Sequence, residues 1–194
     1  ALLVIAVVGG TAWNEYRKAQ IEATAEARGD AIADALVEAS PLARATALEA
    51  AEGGVVEAFM AAAEYQSAGD AAKAVETLTA LAATPELPPL YRDLAQLKRL
   101  AIDTEMLSSD RSLLLSALSS PGAPYRTIAE EYMALDLVRA GEIEGAIDAF
   151  QALLQDADAS QAQQQRIVQI IVALGGTPEL ATGLLGGNAD APLE

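Results

Sequence analysis

One passage constrains the fold of this chain more than any other: residues 58–85, AFMAAAEYQSAGDAAKAVETLTALAATP, with a partial copy at residues 130–154, EEYMALDLVRAGEIEGAIDAFQALL. Each reads as two helices around a tight glycine turn. In the first, Tyr65 precedes Gly69-Asp70, and Ala74 and Leu78 follow; in the second, Gly141-Glu142, Ala146 and Phe150 stand at the same offsets. A small residue after the turn lets the two helices approach closely, and a large apolar residue four places on fills the next turn of the same face. Such a hairpin cannot bury its apolar face alone and must stack on neighbours.

Composition agrees with stacked helices. Of the 194 residues 52% are hydrophobic, yet only 4% are aromatic, and alanine supplies much of the rest, which favours close helix packing over strands. The expected class is all-α. With 12 basic against 28 acidic residues, the charge of -16 disfavours a surface that tracks phosphates, so nucleic acid is not an expected partner. The chain has no cysteine and no histidine, which removes disulfides, thiolate metal sites, the usual general base and every Ser-His or Cys-His relay. No catalytic residue, cofactor or metal is expected, and no small-molecule substrate.

Residues 1–12, ALLVIAVVGGTA, are uncharged and nearly all apolar, and Trp13, Tyr16, Arg17 and Lys18 follow. About 20 apolar residues cross a bilayer, so this run reads as the C-terminal part of a truncated transmembrane helix, with further residues expected upstream. The two aromatics suit a membrane interface, and the two cations suit headgroups. A signal-peptide core and a buried core helix are the competing readings. Residues 19–39 then turn amphipathic, with Gly29-Asp30 a candidate interruption, and Ser40-Pro41 marks a helix start.

Between the two clear hairpins, Leu90, Leu94, Leu97 and Ala101 mark one face of a helix, and Leu113, Leu114, Leu115 and Leu118 fall in a second. Matching Leu94-Ala95 to Ala61-Ala62 makes this a middle hairpin, with Ser108-Ser109-Asp110 replacing its turn glycine. The spacing from Ala61 to Leu94 is 33 residues and from Leu94 to Met133 is 39, the excess falling in the loop Ser119 to Pro124. Residues 161–174, with Ile167, Ile170, Ile171 and Leu174 on one face, read as a capping helix.

Tyr65, Gly69-Asp70, Ala74, Leu78 and Pro85, echoed by Gly141, Ala146 and Phe150, resemble the tetratricopeptide repeat. The bulky aromatic expected early in the first helix is replaced by Ala58 or Glu130, and the glycine at the helix crossing by Ala62 or Ala134. The expected architecture is a short tetratricopeptide-like α-solenoid of about three hairpins plus the cap. Its divisions are membrane helix and interface over 1–18, long and short helices over 19–54, repeats and cap over 55–182, and a flexible tail over 183–194.

With the N-terminal run included, the chain resembles the bacterial single-span inner-membrane proteins with a tetratricopeptide-like domain, of which the ancillary SecYEG translocon subunit is the best-known type. That resemblance implies a periplasmic repeat domain contacting secreted chains, the translocon or chaperones. A subunit role in another large inner-membrane complex is the alternative. It also implies a concave groove lined by the first helices of the hairpins, here Val56, Phe59 and Gln66, then Arg92, Gln96 and Arg99, then Glu131, Leu135 and Arg139. Apolar anchors beside arginines suit a peptide with carboxylate or backbone oxygens. The plainer reading pairs each arginine with a nearby acid.

Other motifs carry less. Asp156-Ala157-Asp158-Ala159-Ser160 opens like a calcium loop, but Gln161 and Ile167 stand where that loop needs Gly and Glu. Gly175-Gly176 and Gly186-Gly187 lack the Lys-Ser/Thr of a phosphate loop and read as helix stops.

Overall fold

A computed structural model describes residues 2–51 and 54–179, and for residues 2–13 the backbone alone. Among the described residues there are nine helices and no strand. They are α1 (Leu2–Leu36), α2 (Pro41–Ala50), α3 (Val55–Ser67), α4 (Ala71–Ala82), α5 (Pro89–Ile102), α6 (Ser108–Leu118), α7 (Arg126–Ala140), α8 (Ile143–Leu154) and α9 (Gln161–Ala173). The chain divides between Thr104 and Glu105 into two compact units. Within each, helices pack on their chain neighbours: α1 through α5 in the first, α6 through α9 in the second.

In the first unit the helix ends follow local chemistry. Ser40 caps α2, its Oγ accepting from Ala43 N–H at 3.2 Å, and Pro41 opens the first turn. Gly69 closes α3 at φ +81°, in the left-handed region that an L side chain rarely enters, and Asp70 N–H reaches back to Tyr65 O at 2.9 Å. Asp70 then caps α4 by accepting from Lys73 N–H. Two clusters form the core. Ala35, Ala45, Leu48, Ala61, Tyr65 and Ala74 join α1 to α4, while Ala62, Leu78, Leu81, Leu87 and Ala95 join α3 to α5. The alanines draw the helices together, and each fully buried leucine contributes about 2 kcal/mol.

Two local expectations differ from what is found. Helix α1 runs unbroken through Gly29 to Leu36, because the strong helix formers around that glycine outweigh its penalty of about 1 kcal/mol. On α5 the buried residues are Ala95, Leu97 and Leu100, whereas Leu90 is exposed. The expected face of Leu90, Leu94, Leu97 and Ala101 is rotated, since leucine falls all round this helix and the small Ala95 makes the close approach. Ala62, Ala95 and Ala134, equivalent in the expected register, are all buried.

The second unit repeats the turn. Gly141 closes α7 at φ +81° and Glu142 N–H reaches Leu137 O at 2.9 Å. Ala146, Phe150, Leu153 and Leu154 of α8 pack with Ala134 of α7 and with Ile167 and Ile171 of α9. Helix α9 packs on α8 and ends on the same device: Gly175 lies at φ +85° and Gly176 N–H reaches Ile171 O at 2.9 Å.

Among the described residues no helix is long and apolar enough to cross a membrane. The span expected within residues 1–18 falls mostly on residues 1–13, whose side chains, Trp13 included, lie outside the description. The tail expected over 183–194 lies wholly outside the described residues.

Candidate functional site

The candidate groove residues fall in both units, and the geometry of each set is local. In the first unit Phe59 is half-buried against the α3–α5 cluster, with Lys98 Nζ 6.0 Å above its ring. Val56 and Gln66 are exposed on the same helix. On α5, Arg92, Gln96 and Arg99 occupy one face at helical spacing and are half-buried. Arg92 lies 3.9 Å from Asp93, and Arg99 donates to Asp103 at 3.3 Å.

In the second unit Leu135 is half-buried against the core cluster, and Arg139 is exposed and held by Asp136. Asp136 also accepts from Arg111 Nε at 2.7 Å, while the Arg111 guanidinium lies 5.7 Å from the Tyr132 ring. Each of the three candidate arginines therefore has a carboxylate within four positions in the sequence. Glu131, expected to line the groove, is buried at 6% exposure. Its oxygens accept from Arg166 Nε and Nη2, both at 2.7 Å, and from Gln163 Nε2 at 2.9 Å. It binds α9 to α7 and offers nothing outward. Of the residues expected at a membrane interface, Tyr16, Arg17 and Lys18 are exposed, with Lys18 Nζ 3.6 Å from Glu15.

One densely bonded charge was not singled out by its pattern. Arg126, at the start of α7, donates to Glu130, to both oxygens of Asp156 and to Asp158. These bonds hold the Arg126 guanidinium more firmly protonated than usual and draw the Asp156 carboxyl below the ordinary range. The acidic run that opens like a calcium loop thus closes on a guanidinium. Among the described residues no three acidic side chains converge as a metal site.

A second missed group lies in the first unit. Glu49 accepts from Tyr65 Oη at 2.7 Å and Thr77 Oγ1 at 3.2 Å, at the edge of a cavity of about 430 Å³ lined also by Val55, Ala58, Ala80 and Leu81. Burial and then the Glu49 bond raise the Tyr65 phenol above its usual range. None of the candidate groove residues lines this cavity. Only a pairing across 16 and 28 positions would reveal such a group, and the sequence carries no local sign of it.

Comparison with known proteins finds no match, whether to a family model, to a curated protein or to a solved structure.

Proposed function

We propose that this chain is a non-catalytic, membrane-anchored adaptor of the tetratricopeptide-like α-solenoid type, which holds protein partners beside the export translocon of a bacterial inner membrane. Its repeat body stands on the periplasmic side, and its partners are the translocon, chaperones or the chains they deliver. The observation that carries this reading is the hairpin built twice. Ala62, Gly69, Ala74 and Leu78 recur as Ala134, Gly141, Ala146 and Phe150, with buried small residues at the contacts and the same left-handed glycine at each turn. Stacked hairpins of this kind present side chains from successive helices to a polypeptide. Arg92, Gln96 and Arg99 supply donors on one such face, and Phe59 an apolar anchor.

Pull-down from detergent extract, with Arg92→Glu and Arg99→Glu beside the unaltered chain, tests the groove. The expected result is loss of the captured partner; unchanged recovery rejects it.

One observation favours a fixed subunit of another membrane complex. Leu107, Leu113 and Val172, none of them a groove residue, are exposed at 66%, 72% and 58%. A permanent interface over such residues would return one stoichiometric complex lacking the translocon, and would survive both arginine substitutions.

A further inference from the structure

The segment after α9 is seated on α8 through its backbone. Gly175, left-handed, turns the chain, and Gly176 enters a gap where a side chain would displace its neighbours. A Cβ there would stand 2.9 Å from Ile171 Cγ2 and 3.2 Å from Ile147 Cδ1. Beyond it, the Gln151 carboxamide makes two bonds, Nε2 donating to Thr177 O at 2.7 Å and Oε1 accepting from Glu179 N–H at 3.0 Å. Gln155 Nε2, one helical turn further, donates to Glu179 O at 2.7 Å.

This is the pattern by which a β-strand residue bridges its neighbour, centred on residue 178 and made by a side-chain amide. The spacing fits. Four residues of helix rise about 6 Å, close to the roughly 6.6 Å spanned by two residues of extended chain. Glutamines at that interval therefore meet alternate carbonyls. The bonds touch no side chain of the segment, and they skip the nitrogen of Pro178, so proline is accepted there.

We propose that the row Ile147, Gln151 and Gln155 on α8 is a docking site for an extended polypeptide main chain, occupied in the resting protein by residues 176–179. Its ligand in trans is an extended peptide with glycine beside Ile147 and free choice of side chain, proline included, two places on. The site stands apart from the candidate groove and does not rest on it. A tethered occupant acts at an effective concentration in the millimolar range, so the resting chain admits an outside peptide only when its own segment lifts.

The test uses the isotope-labelled chain and the peptide acetyl-Gly-Thr-Pro-Glu-amide. Gly176→Val crowds the segment off α8. The side-chain amide signals of Gln151 and Gln155 should then move, and return toward their resting positions as the peptide is titrated, with several-fold smaller changes in the unaltered chain. Signals that stay put in Gly176→Val, or that ignore the peptide, overturn the proposal. Gln151→Glu leaves the α9 packing untouched and opposes a carboxylate to Thr177 O. It should speed cleavage by a Glu-specific protease after Glu179 about fivefold, as loss of this anchor predicts. An unchanged cleavage rate overturns it equally.

Discussion

Arg166 on α9 sets Nε and Nη2 each 2.7 Å from the carboxylate of Glu131 on α7, and the acid, not the arginine, is the buried partner, at 8% against 52% side-chain exposure. Truncating the arginine strands a carboxylate with Gln163 as its remaining side-chain donor. Arg166→Met should therefore cost about 2 kcal/mol in urea unfolding, below the full figure for a buried pair because one partner meets water. Adding Glu131→Gln to Arg166→Met should restore part of that loss. Strict additivity of the two changes rejects the coupling.

The same substitution, glycine to alanine, should have opposite signs at two neighbouring places. Gly69 and Gly141 lie at φ +81° with nothing within 4 Å of a Cβ, so alanine meets backbone strain alone and costs about 1 kcal/mol at each. Gly145 is within α8, where the nearest atom to a Cβ is Leu137 Cδ1 at 3.9 Å. Gly145→Ala should stabilise by about 0.5–1 kcal/mol. Denaturant midpoints that move in one direction for all three would refute this.

Acid should loosen the second unit through Asp156. Its carboxyl is held below the ordinary range, chiefly by the bonds from Arg126. The stabilisation is complete above the unfolded value of about 3.9 and fades as pH falls through the lower folded one. Asp156→Asn should flatten the stability profile below about pH 4 while lowering stability near neutrality. An acid limb of unchanged steepness speaks against the assignment.

At the alkaline end the relevant group is Tyr65, whose phenol is raised by burial and by Glu49. Its contribution is complete below the unfolded value of about 10 and disappears as pH rises through the higher folded one. Tyr65→Phe removes the 2.7 Å bond to Glu49, costs about 1 kcal/mol at neutral pH, and should leave stability less sensitive to base. Titration of the tyrosine absorbance in the folded chain checks the direction of the shift.

The parts of this fold that are legible in sequence are those set by short-range chemistry. Gly69 and Gly141 were readable because few other residues take their backbone, and Ser40-Pro41 because a hydroxyl and a ring suit a helix start. The face of α5 was not, since Leu90, Leu94, Leu97 and Leu100 offer similar apolar area and only tertiary contact selects among them. The ion pairs were hidden for a related reason. Arg126 meets Asp156 across 30 positions and Arg166 meets Glu131 across 35, separations at which no periodicity operates. The candidate arginines illustrate the converse: Arg92, Arg99 and Arg139 each stand beside an acid close in sequence, and that proximity was visible from the start.

Helix α1 has a further property. From Asn14 to Asp30 every residue is exposed, and its packing on the body begins at Ile32 and Ala35, with Arg28 reaching Glu57 at 3.3 Å. The stretch is a rod of about 25 Å whose packing on the body lies at its C-terminal end. A tilt of about 10° at its root would carry the far end through roughly 4 Å, a lever that turns small changes in the α1–α2 contact into displacement at Asn14.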